Sequence, residues 1–110
     1  MKTSILAAGM LTIATMAMAD TPVLTVLTYD SFTAEWGPGP AIEKSFEAEC
    51  GCDLKFVTAG DGAAVLARLK LEGARSEADV VLGLDTSLTA NAAATGLFAP
   101  HNNMETFSGR

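Results

Sequence analysis

Short apolar runs alternate with segments of helical periodicity along the chain after residue 20. Residues 23–29, 54–58 and 79–84 are rich in β-branched and other apolar side chains, which is typical of buried strands. Residues 97–98 predict the start of a short fourth strand. Each of the first three runs is followed by a segment with helical spacing, so strands and helices alternate.

The first predicted helix begins at Pro40, because proline suits a first helical turn, and it ends near Gly51. Ile42 and Phe46 lie one turn apart and are expected to form its buried stripe. The intervening charged residues are expected to face water: Glu43, Lys44 and Glu47.

The second predicted helix carries an apolar stripe of Val65, Leu66 and Leu69. Asp61 suits its N-cap and Gly73 its C-terminal stop. A third helix is predicted over residues 88–94, with Asp85 or Thr86 as its cap and Gly96 after its end.

The order β-α-β-α-β-α predicts an α/β fold with a parallel sheet covered on both faces. Ligands of such sheets bind beyond the carboxyl ends of the strands. Three loops reach that edge, at residues 29–31, 60–62 and 85–87, and all three carry polar side chains. We therefore expect any ligand site there.

Residues 1–19 have the layout of a cleaved secretory signal peptide. Lys2 is followed by an uncharged apolar run over residues 5–17, and Ala17-Met18-Ala19 gives the small-x-small pattern before Asp20. A membrane anchor is the alternative, but the run is shorter than a spanning helix needs. A lipoprotein anchor is disfavoured because no cysteine stands at the cleavage point.

The 110 residues allow one small domain. Six basic and thirteen acidic side chains follow residue 19. This acidic balance argues against binding to nucleic acid or to an anionic membrane surface, both of which require positive charge.

Asp61 and Gly62 lie in a Gly-Asp-Gly turn between the second strand and the second helix. Glycines admit a ligand close to the backbone, and a helix N-terminus offers unpaired N–H groups to a phosphate. The alternative is an ordinary turn with a capping aspartate. Asp85, directly after an apolar strand, fits a ligand contact or a helix cap equally well.

Tyr29 and Trp36 are the only tyrosine and the only tryptophan of the chain. An aromatic ring at a strand end can stack on a flat ligand, with added attraction if that ligand is cationic. Both side chains also fit purely structural roles.

Cys50 and Cys52 are the only cysteines. An exported protein meets oxidants, and Gly51 between them allows the bend that a disulfide of such short span needs. A structural bridge is the main interpretation, and thiol–disulfide redox chemistry is the alternative.

The chain has no phosphate-loop, dinucleotide-binding, zinc-protease or serine-hydrolase motif. We predict no catalytic residue, no metal ligand and no cofactor, and hence a protein that is not an enzyme.

Residues 24–32 (Leu-Thr-Val-Leu-Thr-Tyr-Asp-Ser-Phe), 36–40 (Trp-Gly-Pro-Gly-Pro) and 78–85 (Ala-Asp-Val-Val-Leu-Gly-Leu-Asp), with the cysteine pair between them, resemble periplasmic thiamine-binding proteins. The resemblance runs from about residue 23 to about residue 100.

The resemblance implies a hinged, two-lobed binding protein of the type II periplasmic class. It would capture thiamine or its phosphates and pass them to the permease and ATPase of an ABC importer. By motif position, the resemblance implies ligand contacts at Asp61 and Gly62, an aromatic at the cleft at Tyr29, and contacts at the motif positions Asp85 and Trp36. Related binders of ferric iron or polyamines are the alternative.

On this basis residues 20–100 are the N-terminal part of the first lobe, and residues 101–110 are an irregular tail. The family is roughly three times longer, so we expect a truncated product, lacking a second lobe, that binds thiamine weakly or not at all.

Overall fold

The computed structural model describes Gly9, Met10 and residues 20–101 of the chain. The predicted signal peptide and the predicted irregular tail therefore lie almost wholly outside the described residues and stay predictions.

The sheet has three parallel strands in the order β2-β1-β3. The central strand β1 spans Val23–Thr28, and its neighbours are β2 (Asp53–Thr58) and β3 (Val80–Val81). Val23 lies opposite Asp53 and Thr28 opposite Thr58, so all six residues of β1 pair with β2. The predicted parallel-sheet α/β fold is confirmed.

Three helices connect or follow the strands: α1 (Gly39–Cys50), α2 (Gly62–Glu72) and α3 (Thr89–Ala94). Two 3₁₀ turns, Asp30–Phe32 and Gly73–Arg75, follow β1 and α2. Pro40 lies in the first turn of α1 and the helix ends at Gly51, both as predicted; Gly51 adopts the left-handed conformation.

The core lies between the sheet and α2. Val65 and Leu69 pack on Leu27 of the central strand, and all three side chains are buried. The opposite face of the sheet carries Leu54 and Phe56, whose ring meets that of Phe32 edge-on with centroids 5.5 Å apart. Burial of such side chains contributes about 1.5–3 kcal/mol each.

The predicted buried stripe of α1 is wrong. Ile42 and Phe46 are 44% and 38% exposed, whereas Glu47 is half-buried. Glu47 Oε2 accepts a hydrogen bond from the Leu54 N–H at 3.2 Å, which turns this acidic face of the helix toward the edge strand β2. Glu43 shares that half-buried face, so only Lys44 of the three charged residues faces water as predicted.

The third strand is shorter than predicted. β3 has two residues, and Val80 and Leu82 are exposed rather than buried, because β3 forms an edge of the described sheet. Gly83 then adopts φ +103°, which lies outside the β region and ends the strand. The predicted strand at residues 97–98 is also wrong, since these described residues pair with no strand.

A disulfide joins Cys50 to Cys52, with Cα atoms 5.2 Å apart across the left-handed Gly51. The bridge links the end of α1 to the start of β2, so it lies at the amino ends of the parallel strands.

Candidate functional site

A hollow of about 550 Å³ opens at the carboxyl ends of the three strands. It is formed by the loops that follow the strands and by the start of α2. The residues that line it are Tyr29, Asp30, Ser31, Gly60, Asp61, Gly62, Ala63, Gly83, Asp85, Ser87 and Leu88.

A second hollow, of about 630 Å³, lies beside β3 and residues 97–101. Its walls are largely apolar and carry few polar side chains, whereas the strand-end hollow gathers polar groups from three separate loops. The strand-end hollow is therefore the candidate site, since parallel sheets bind ligands at this edge.

The structure brings together four of the five residues predicted to contact a ligand. Tyr29, Asp61, Gly62 and Asp85 all line the strand-end hollow. Trp36 does not: its side chain is 81% exposed in the segment between the first 3₁₀ turn and α1. A ligand contact by Trp36 stays a prediction that nothing in this geometry supports.

Asp61 caps α2, as predicted. Its backbone is extended, its Oδ1 accepts the Ala64 N–H at 2.9 Å, and its carbonyl accepts the Val65 N–H at 2.9 Å. The first two helical residues, Gly62 and Ala63, have no intrahelical acceptor and lie at the wall of the hollow. The helix thus presents two backbone donors to a ligand.

Tyr29 is half-buried and packs partly against the core that α2 forms with β1. Its ring meets the Phe32 ring edge-on, with centroids 5.7 Å apart. The loop that follows is tied to the second loop, because the Asp30 N–H donates to the Gly60 carbonyl at 2.8 Å. The Tyr29 ring, which forms the aromatic wall of the hollow, is therefore held by the Phe32 contact and by the bond that ties its loop to the second loop.

Asp85 organises the third loop. Its Oδ1 accepts hydrogen bonds from the hydroxyl and the backbone N–H of Ser87, and these bonds hold the pKa of the Asp85 carboxyl below its usual range. The predicted capping of α3 is wrong, because Leu88 occupies the N-cap and makes no side-chain cap bond. The Asp85 carboxylate instead forms a side-chain turn with Ser87, two residues further along the chain. This carboxylate is ionised at neutral pH.

The hollow has a negative field. Three aspartates from three loops line it (Asp30, Asp61 and Asp85), and none of its lining residues is a lysine or an arginine. A cationic group is therefore favoured near these carboxylates, while an anion has only the backbone donors of Gly62 and Ala63.

Sequence reasoning missed three lining residues: Ala63, Gly83 and Leu88. Ala63 and Leu88 carry no polar side chain that would have marked them. Gly83 had a signal, since it interrupts an apolar strand two residues before Asp85 and a glycine there indicates close backbone approach.

Within the described part of the chain, no helix has the length and apolar character needed to cross a membrane. The same residues contain no group of three or more His, Cys, Asp or Glu side chains able to hold a metal ion.

Known proteins are similar to this chain in sequence and in fold. The Thiamine-binding periplasmic protein of Escherichia coli (strain K12) is 62% identical over 78 residues, which cover 71% of this chain and 24% of that protein. The protein of the same name from Brucella abortus is 60% identical over 77 residues, covering 70% of this chain and 23% of the relative. The one from Haemophilus influenzae is 39% identical over 103 residues, covering 93% of this chain and 31% of that relative.

A solved structure named Periplasmic thiamin binding protein superimposes with a TM-score of 0.69 at 61% sequence identity. The match covers 72% of this chain and 25% of that one. The chain is a homologue of thiamine-binding periplasmic proteins. The predicted resemblance is therefore confirmed, and the matched region spans about a quarter of the length of most of these relatives.

No protein-family model matches this chain.

Proposed function

We propose that this homologue supplies one wall of a thiamine site in the solute-binding component of an ABC importer. The observation that carries the proposal is the shared hollow: Tyr29, Asp61 and Asp85 come from three separate loops and line one cavity. The high identity to thiamine-binding relatives over this same region supports thiamine as the ligand.

Thiamine suits the chemistry of the hollow. Its thiazolium ring is flat and permanently cationic, so the carboxylates of Asp30, Asp61 and Asp85 attract it. The half-buried ring of Tyr29 offers a face for stacking and cation–π attraction. The N–H groups of Gly62 and Ala63 are suited to donate hydrogen bonds to the phosphate oxygens of thiamine monophosphate or diphosphate.

The function is capture and release, without covalent chemistry. We propose that the protein acts in the periplasm, takes up thiamine or its phosphates, and delivers them to the membrane permease and ATPase of the importer. The matched region is about a quarter of the relatives' length, so further ligand contacts would come from sequence that corresponds to the rest of those proteins.

The Cys50–Cys52 bridge is structural in this proposal. It lies at the amino ends of the strands, whereas the hollow lies at their carboxyl ends, one six-residue strand away. A six-residue strand spans about 20 Å, which separates the disulfide from the ligand.

A chimera tests the proposal. The matching 78 residues of the E. coli relative are replaced by those of this chain, and thiamine affinity is measured by titration calorimetry. We expect affinity comparable to that of the parent protein. Asp61→Asn retains a capping side chain but removes the charge, so it should weaken thiamine binding about tenfold without loss of stability.

Two further variants sharpen the test. Tyr29→Ala should weaken thiamine binding about fivefold through lost stacking. Leu71→Ala, on the exposed outer face of α2, is the matched control and should leave the thiamine affinity unchanged. Trp36→Ala tests the prediction that the geometry does not support. Unchanged affinity in both Asp61→Asn and Tyr29→Ala would contradict the proposed wall.

A further inference from the structure

Gly83 lies against the aromatic ring of the hollow. A Cβ atom built on Gly83 would come within 2.3 Å of Tyr29 Cδ1 and 2.6 Å of Cε1, far closer than real Cβ contacts allow. Both atoms belong to the rigid Tyr29 ring, so neither can move aside without movement of the whole ring. The ring of Tyr29 therefore rests directly on the Cα of Gly83.

The other side of Gly83 lies against α2. A Cβ atom on Gly62 would come within 2.7 Å of the Gly83 carbonyl oxygen, so the first residue of the helix also packs backbone to backbone. Gly83 is thus held between the Tyr29 ring and the start of α2. Its φ of +103° places the chain in a conformation that residues with a side chain rarely adopt.

The Tyr29 ring also contacts other side chains on sides that do not face Gly83. Phe32 packs edge-on against it, and Leu27, Val65 and Leu69 lie behind it in the core. A side chain at position 83 would therefore turn the ring toward the open space of the hollow, because the other directions are filled.

We propose that Gly83 is a positioning residue that fixes the orientation of the Tyr29 ring for the ligand. This inference rests on the proposed function, since it concerns the same hollow. Gly83 itself supplies no side-chain contact to thiamine; it sets the angle at which the aromatic wall meets the thiazolium ring.

A double-mutant cycle tests the inference. The ¹⁵N-labelled chain is titrated with thiamine chloride in the millimolar range, and the dissociation constant is read from amide shifts for wild type, Gly83→Ala, Tyr29→Ala and the double variant. Gly83→Ala should weaken binding about fivefold in the wild-type background and less than about twofold in the Tyr29→Ala background, where no ring remains to displace.

Gly96→Ala is the matched control. Gly96 also has a positive φ (+67°), but nothing lies within 4 Å of its would-be Cβ. It therefore reports the effect of alanine at a positive-φ glycine that has no ring contact, and we expect it to bind thiamine like wild type.

The ligand-free chain gives an independent readout. The Gly83 α-protons should show an upfield ring-current shift that Tyr29→Ala abolishes. If Gly83→Ala fails to fold, the double variant should recover folding, because removal of the ring removes the clash; failure of that rescue overturns the inference.

Different results would contradict the proposed function and the positioning role of Gly83. If the isolated chain shows no amide shift with millimolar thiamine but the chimera binds, the same four variants are compared in the chimera; absence of thiamine binding by both contradicts the proposed function and the inference with it. Thiamine binding that Gly83→Ala weakens equally in both backgrounds, or leaves unchanged in wild type, overturns only the positioning role.

Discussion

The helices α1 and α2 both follow a strand and precede the next one, but different interactions hold them. α2 buries Val65, Leu66 and Leu69 at 0–4% exposure against the sheet. α1 leaves Ile42 and Phe46 exposed and turns Glu47 to β2. Apolar burial fixes α2, whereas a carboxylate–backbone hydrogen bond and the Cys50–Cys52 bridge hold α1 at the edge of the sheet.

This difference explains where the candidate site lies. The start of α2 supplies Asp61, Gly62 and Ala63 to the hollow, and the buried face of the same helix prevents it from shifting. A binding wall requires such a fixed element, because a ligand contact loses affinity when its groups must first be ordered. None of the residues of α1 lines the hollow.

Truncation of the buried face should have the largest effect. Leu69→Ala removes a side chain that is 4% exposed in the core and should lower the free energy of unfolding by about 3 kcal/mol. The measurement is urea denaturation followed by circular dichroism.

Leu71→Ala, two residues along the same helix and 81% exposed, should lower the free energy of unfolding by less than about 0.5 kcal/mol. Phe46→Ala in α1, whose side chain is 38% exposed, should fall between these two values. A loss in Phe46→Ala as large as that in Leu69→Ala would show that α1 is also held by burial.

Removal of the N-cap of α2 should cause the next largest loss of stability. Asp61→Ala leaves the Ala64 N–H without its side-chain acceptor and should cost about 1 kcal/mol of stability. Asp61→Asn should restore most of that loss, since asparagine also caps. If alanine and asparagine destabilise equally, the negative charge rather than the cap matters for folding.

Loss of the Glu47–Leu54 hydrogen bond that joins α1 to β2 should lower the free energy of unfolding by a comparable or smaller amount. Glu47→Ala removes the acceptor of the Leu54 N–H and should destabilise the protein by about 1 kcal/mol. Glu49→Ala, an exposed residue of the same helix, is the control and should be neutral. Equal stability of the two variants would mean that this hydrogen bond does not hold α1.

The sequence patterns predicted these regions unequally, for physical reasons. The stripe of α2 was predicted correctly because it packs on the central strand, which offers apolar surface along its length. The stripe of α1 was not, because the half-buried Glu47 carboxylate bonds to the edge strand β2 and so a different side of the helix from the predicted one faces the sheet.

The candidate site was predicted in part. Its polar members follow the strand ends, so Tyr29, Asp61, Gly62 and Asp85 were named from topology and resemblance together. Gly83 was not named, although a glycine inside an apolar strand indicates close approach of another group; the three-dimensional contact identifies that group as the Tyr29 ring. The short length of β3 likewise depends on that positive φ.

The smallest predicted effect concerns the third loop. The hydroxyl of Ser87 donates to Asp85 and lowers the pKa of its carboxyl, so the folded state gains stability above the unfolded pKa and loses it as pH falls through the folded pKa. Ser87→Ala should raise the pKa of Asp85 toward its ordinary range, measured by carboxyl ¹³C shifts against pH. An unchanged pKa would mean that other groups set it.

The proposed function places thiamine in the strand-end hollow. The most direct measurement is the map of amide shifts on the ¹⁵N-labelled chain during titration with thiamine chloride. We expect saturable shifts concentrated at Tyr29, Gly62, Ala63 and Ser87, with those around Cys50 and Cys52 unmoved. Saturable shifts centred on α1 or on the outer side of β3, with the strand-end loops silent, would contradict the claim.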